Sequence, residues 1–401
     1  MSGTRHGQPA GAHRGTTDRR IAMTHRERVL CALSHREPDR VPIDFGGTID
    51  TSISVGGYER LKKWYRIEAE NRISSMMMQV VDIDERILKE LDIDTRPVFP
   101  GSPAVTFIEK NRYLDEWGRE LVMLPGSAWY DQLHFPLQGD ITPADVKNYR
   151  WPDPCDPVRT EGLKKRVQQI RSETDFASIL YVPAPIIHPS QYLRGYEDWY
   201  IDCASNKKLL LSLFDAVFEV TSTICRRALE EVGGEVDVVF TADDLGAQNG
   251  LQIPRELYRE LIKPYHERYF RLIHDRSPAK LLFHSCGSVV DVLDDLIDIG
   301  VDALTPVQVS ARGMDSKLLK RQWGRRLVFW GGIDTQHVLP HGGVDDVKAE
   351  VERRIEDLGP DGGYVLCAVH NVQPEVPTEN IVTMYQHARA YVPTWTRHGD
   401  A

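Results

Sequence analysis

Two side chains near the middle of the C-terminal half can do metal chemistry together. In the stretch KLLFHSCGSVVD, Lys280 to Asp291, the apolar run Leu281 to Phe283 fits a short buried strand, and His284 and Cys286 follow at its end. An imidazole and a thiol two residues apart, where a strand opens into a loop, can reach one ion. Zinc takes such nitrogen and sulfur ligands, and a catalytic zinc uses three protein ligands with a fourth position open. An isolated H-x-C is more often a core cysteine beside a backbone-bonded histidine, so the pair needs partners. Cys367 and His370, after the last apolar run, are the candidates for a third ligand. Asp243 and Asp244, after the run VVF, offer a fourth ligand or a general base, although a carboxylate pair after a strand also serves as a helix cap.

Other polar residues fall at matching places. Gln308 follows the apolar run near Leu304, Asp334 follows VFWGG, and Cys367 to Asn371 follow YVL, with Trp330 in the same set of strand ends. Asp243, Gln308, Trp330 and Asn371 are the candidate substrate-facing groups, and Asp244 and Asp334 the candidate catalytic ones.

Elements able to bring these residues together are regular from about residue 158. Apolar runs of four to six residues alternate with helical patterns of ten or more, which predicts βαβ units and a parallel sheet. With the earlier runs the count reaches about eight, the number that closes a (β/α)8 TIM-type barrel of ~250 residues before additions. Every polar candidate then lies at the carboxyl end of a strand, where barrel enzymes keep their sites. A doubly wound open sheet is the runner-up, but no glycine-rich dinucleotide fingerprint follows any strand.

The N-terminal part is less regular. Residues 1–22 read as a disordered leader without a secretory apolar region, with Met23 as a second candidate start. Residues 23–395 read as one barrel domain with N-terminal additions. Thr24 and Glu27 form a capping box at its first helix, and Pro38 ends that helix. The run from Ile43 to Tyr58 holds Gly46, Gly47, Gly56 and Gly57; it matches no phosphate-binding motif and reads as a substrate-facing or structural loop. Short alternating segments with aromatics mark a less regular insertion at about 95–157, and Met76 to Met78 read as core filler.

Composition narrows the class. The 401 residues carry a formal charge of −10 and no dense basic block, which argues against nucleic acid or an anionic membrane surface as partner. No apolar run approaches the ~20 residues of a membrane span. Six scattered cysteines favour reduced thiols in a cytoplasm over a disulfide framework.

The segments FTADDLGAQNGLQIPRELYRELIKPYHERYF, LLFHSCGSV, DALTPVQ, FWGGIDTQHVL and GGYVLCAVHNVQPEVPTENI resemble the uroporphyrinogen decarboxylase superfamily. The resemblance runs from about Thr24 to Tyr391. Within that superfamily the chain is more similar to the cobalamin-linked, zinc-dependent methyltransferase branch than to the true decarboxylases. The resemblance implies a β/α barrel and a zinc held by an H-x-C pair, here His284 and Cys286, with a later cysteine. In that branch the cysteine stands seven residues before the proline of P-x-E-N. That motif is Pro377, Glu379 and Asn380 here, and the matching position holds His370. Register therefore favours His370 as third ligand, while position at the strand end favours Cys367. A site with one thiolate would be harder and more Lewis-acidic than one with two.

True tetrapyrrole decarboxylases hold substrate carboxylates with N-terminal arginines, and Ile43 to Tyr58 contains none. The expectation is zinc-dependent methyl transfer between a small methylated substrate and a corrinoid on a partner protein, or a thiol acceptor. Asp244 would orient the metal-bound group or take its proton, and Asp334 would fix the substrate. Cofactor-free decarboxylation, with Asp44 or Asp244 stabilising a protonated intermediate, is the alternative on the same fold. A non-catalytic ligand-binding barrel is the alternative of another class.

Overall fold

The computed structural model describes residues 22–395, so the expected leader, apart from Ala22, lies outside the described residues. Seven parallel strands form the main sheet: β1 (Thr95–Val98), β2 (Ala177–Tyr181), β3 (Val238–Ala242), β4 (Lys280–His284), β5 (Ala303–Thr305), β6 (Val328–Ile333) and β7 (Tyr364–Ala368). Each pairs with its neighbours in sequence order. The eighth position is taken by a single bridge rather than a full strand. Ile43 pairs in parallel with Leu366 of β7, and its carbonyl accepts the N–H of Asp94 just before β1 at 3.0 Å. Pro42 to Asp44 thus link the first and last strands, and the sheet curls into the expected barrel.

Side-chain parity explains the interior. Ala177 and Ile179, Val238, Phe240 and Ala242, Leu282, Ala303, Val328 and Trp330, and Val365 and Cys367 form one apolar cluster. Alternate residues of each strand point to the same side, so these fill the barrel. Their neighbours, such as Leu281, Phe283, Leu304, Phe329 and Leu366, pack outward in the larger cluster with the helices. Both faces are covered, which is why the strands read as continuous apolar runs. His284 continues the inward parity of Leu282 and arrives at the upper end of the barrel.

Thr95–Val98, at the head of the stretch expected as an insertion, belongs to the main sheet. After it, Thr106–Glu109, Arg112–Leu114, Glu120–Val122 and Asp131–His134 make a separate four-stranded antiparallel sheet. Its small core of Tyr113, Leu121 and Tyr130 packs on Met76 and Met77. The Thr24–Glu27 capping box is present. The helical stretch that opens at Arg255 after Pro254 passes through a π segment, Tyr258–Ile262, directly before Lys263–Arg276, whose second residue is Pro264. Proline has no N–H to continue the α-helical ladder, and a π turn absorbs the missing bond. No helix among the described residues is long and apolar enough to cross a membrane.

Candidate metal centre

β3 and β4 are in register, with Ala242 opposite His284, and the Asp243 N–H continues the ladder onto the His284 carbonyl at 3.0 Å. The loops after the two strands then meet backbone to backbone. Gly287 has φ +84°, and a Cβ there would stand 2.5 Å from the Gly246 carbonyl carbon; a Cβ on Gly246 would stand 2.6 Å from the Cys286 oxygen. Two glycines at this crossing let the chain fold Cys286 back over the strand end. Its Sγ lies 3.3 Å from His284 Nε2.

His370 comes from the loop after β7. Its Nδ1 pairs with Asn371 Oδ1 at 2.6 Å, and Gln373 Nε2 donates to the same oxygen at 2.7 Å. With the amide oxygen as acceptor, Nδ1 carries the proton and Nε2 is left as the free lone pair. One ligand atom from each of His284, Cys286 and His370 lies within 4.8 Å of the others. Cys367, the competing third ligand, is fully buried among Trp330 and Val365 in the barrel interior and stands outside this group. The structure brings His370, not Cys367, to the H-x-C pair.

The neighbouring polar residues divide into those that face the cluster and those that hold its frame. Asp244 Oδ1 accepts the Cys286 N–H at 2.7 Å and is 3.8 Å from His284 Nε2. Asp244 Oδ2 is 3.4 Å from His188 Nε2. Asp243 is fully buried and accepts the N–H groups of Ile186, Ile187 and His188 and a contact from His266 Nε2 at 3.1 Å. Its carboxylate therefore anchors the loop carrying His188 and is committed before any substrate arrives. Gln308 Oε1 accepts the Gly287 N–H at 2.7 Å, which fixes the glycine crossing. Asp334 Oδ1 caps the turn to Gln336 and His337. Asn371 orients His370.

Trp330, expected at the mouth, is fully buried. Its indole N–H donates to Asp44 Oδ2 at 2.9 Å in the barrel interior. Asp44 is also fully buried and accepts from Thr95 Oγ1 at 2.5 Å and from the Gly47 N–H at 3.0 Å; burial pushes its carboxyl up. Arg194, a possible cation for substrate carboxylates, is held by Asp202 Oδ2 at 2.7 Å and by the Leu137 and Gly139 carbonyls.

Two residues facing the cluster escaped the sequence reading. His188 reaches Asp244 through a tertiary contact that leaves no local signal in the sequence. Asp50 lies in the glycine-rich loop, 3.7 Å from His284 Nδ1 and 3.6 Å from His370 Nε2. An acidic residue among glycines and hydroxyls was the available hint.

The electrostatics suit a cation. Burial lowers the His284 pKa, so its imidazole is neutral and able to ligate at neutral pH. Burial, with Asp244 and Asp50 nearby, pushes the Cys286 thiol well up. Burial opposes ionisation of Asp244, yet His188, His284 and the Cys286 amide hold its carboxyl well below the usual range. Burial would lower the His188 pKa, but Asp244, Asp243 and Asp50 raise it to about 9. Zinc bonds of ~2.1 Å to nitrogen and ~2.3 Å to sulfur in a tetrahedron set those atoms ~3.5 Å apart; the 3.3 Å from Sγ to Nε2 is close to that edge. Donor types and spacing fit the ion.

Metal donors and carboxylates at the carboxyl ends of parallel strands are the layout of a β/α-barrel enzyme. The chain belongs to the uroporphyrinogen decarboxylase (URO-D) family, whose model matches residues 135–391, more than half of its length. It is 22% identical over 375 residues to a uroporphyrinogen decarboxylase of Alkalilimnicola ehrlichii, covering 91% of this chain and 93% of the relative. A Thermus thermophilus protein of the same name is 27% identical but is matched over only 41% of its own length and 39% of this chain. The methylcobamide:CoM methyltransferase MtaA of Methanosarcina barkeri is 23% identical over 249 residues, 61% of this chain and 66% of the relative. Among solved structures, a methyltransferase from Methanosarcina mazei superposes with a TM-score of 0.62 at 19% identity, covering 92% of this chain and 98% of that one. That last likeness shows the fold. Relatives of this chain thus include both decarboxylases and methyltransferases.

Proposed function

We propose that this protein is a zinc-dependent methyltransferase. It moves a methyl group between a small methylated molecule and a corrinoid on a partner protein, or a thiol acceptor. The observation that supports this reading is the convergence of His284, Cys286 and His370 within 4.8 Å at the barrel mouth. The similarity to a methylcobamide methyltransferase supports the choice of reaction.

His284, Cys286 and His370 would hold the ion. When bound, zinc supplies a Lewis acid that keeps a thiol as thiolate at neutral pH or polarises the oxygen or nitrogen leaving group of a methyl donor. The chain's own residues set the frame for this. Asp244 fixes the Cys286 backbone, Gln308 fixes Gly287, and Asn371 presents His370 with Nε2 free. His188 keeps a proton facing Asp244 Oδ2, where a developing negative charge can be met. The buried Trp330 and Cys367 close the barrel below the site to water.

Decarboxylation of uroporphyrinogen has the long decarboxylase alignment in its favour. Against it, Ile43 to Tyr58 holds no arginine and Arg194 is already committed to Asp202. The deciding assay supplies methylated oxygen and nitrogen donors with a cob(I)alamin or thiol acceptor, with and without zinc. Zinc-dependent methyl transfer is the expected result. Activity of the metal-free protein at the same rate would remove the reading.

A further inference from the structure

The buried Nδ1 of His284 has no hydrogen-bond partner. It faces Asp50 Oδ2 at 3.7 Å. The other Asp50 oxygen lies 3.6 Å from His370 Nε2. Asp50 is itself buried, 7% exposed, and among the described residues its carboxylate accepts no hydrogen bond. A buried carboxylate and a buried ring nitrogen without partners are each costly to desolvate. Here they are turned toward one another, about 1 Å beyond the 2.7–2.9 Å of a charge-assisted hydrogen bond.

We propose that Asp50 is the positioning carboxylate of this metal site, resting on the reading of His284, Cys286 and His370 as ligands. A neutral histidine that ligates through Nε2 carries its proton on Nδ1, and that N–H needs an acceptor which fixes ring and tautomer. Asp50 Oδ2 is in place to accept it. The charge balance points the same way. A divalent ion with two neutral imidazoles and one thiolate keeps a net charge of +1, and the Asp50 carboxylate beside both rings offsets it.

The fold holds Asp50 there by construction. Gly46, at φ +78°, donates its N–H to the Thr51 carbonyl at 3.0 Å. Thr48 and Thr51 exchange backbone-to-hydroxyl bonds at 3.1 Å each, which closes a tight turn around Asp50. Ser54 donates its N–H to the Val372 carbonyl, and Val372 donates to the Ser52 carbonyl, both at 2.9 Å. The turn is thereby tied to the loop carrying His370. The glycines of this region shape an arm for a carboxylate, not a phosphate cradle.

The test measures zinc affinity of the apoprotein by competition with a chromophoric chelator, for wild type, Asp50→Asn and Asp50→Ala, and records the visible spectra of the cobalt(II) forms. Thermal melts of the apo variants check that they fold, and the near-isosteric Asn variant serves if the Ala variant does not. Asp50→Ala is expected to weaken zinc binding by about 10–100-fold. Asp50→Asn should lie between it and wild type, since an amide oxygen accepts the Nδ1 proton without the charge. Affinities within about threefold of wild type in both variants would overturn the role of Asp50 while leaving the metal site standing. A wild-type protein that binds no zinc would overturn the site and this inference together. A cobalt spectrum that loses one ligand in Asp50→Ala would make Asp50 a ligand and overturn its placing as an outer carboxylate.

Discussion

Asp244 Oδ1 accepts the Cys286 backbone N–H at 2.7 Å, so an acidic residue of the loop after β3 sets the position of the thiol that follows β4. The parallel register of the two strands brings them side by side. This bond holds the candidate ligand by its backbone and leaves the thiol free. Truncation should therefore loosen the site without unfolding the barrel. Asp244→Ala is expected to lower zinc affinity or methyl-transfer kcat/KM by about 10–100-fold, with Asp244→Asn milder because its amide oxygen still accepts the bond. Chelator competition and steady-state kinetics on the two variants check it; equal losses would mean that the charge, not the hydrogen bond, matters.

The adjacent Asp243 should behave differently. Its buried carboxylate takes three backbone N–H groups from 186–188. Asp243→Ala leaves those donors unpaired, at a cost on the order of 3 kcal/mol. Denaturant melts of the two apo alanine variants should show Asp243→Ala as clearly the less stable. A ranking in the other direction would contradict the anchoring role.

Cys367 and His370 separate in the same way. His370→Ala is expected to lower zinc affinity by at least about tenfold. Cys367→Ala should leave affinity near wild type and cost about 1 kcal/mol of stability through the lost interior packing. Zinc titration and thermal melts of both variants decide between them.

His188 gives a pH signature in the apoprotein. Its folded pKa is raised from 6.5 to about 9. The folded state therefore binds its proton more tightly than the unfolded chain does. The stability from this charge is fully present below pH 6.5 and is lost as pH rises through about 9. The stability difference between wild type and His188→Gln should shrink across that window. A difference independent of pH from 6 to 9.5 would show that His188 is not protonated against Asp244.

Uroporphyrinogen should not be a substrate. Burying several substrate carboxylates without cations costs several kcal/mol each, and Arg194 is tied to Asp202 and two carbonyls. An anaerobic assay should yield no coproporphyrinogen. Its appearance at a rate above the uncatalysed background would restore the decarboxylase reading.

Parity along the strands carried much of this site in the sequence. Leu282 and His284 share a face, so a strand ending HSC had to aim its histidine into the barrel. The same rule was available for Trp330 and Cys367. β6 runs on through Gly331 and Gly332 to Ile333 and pairs Gly332 with Cys367, so Trp330 lies within the strand and its side chain, like that of Cys367, is buried. Asp50 and His188 had no such signal. Each reaches the cluster through loops tied down by distant backbone, Asp50 through Val372 and His188 through Asp243. Contacts of that kind have no periodicity to read.

Zinc stoichiometry tests the central claim most directly. Mass-spectrometric metal analysis of purified wild type, beside Cys286→Ala and His284→Ala made in the same way, is predicted to give about one zinc per chain for wild type and almost none for either variant. Wild type without zinc, or variants retaining it in full, would contradict the assignment of His284, Cys286 and His370 as a metal centre.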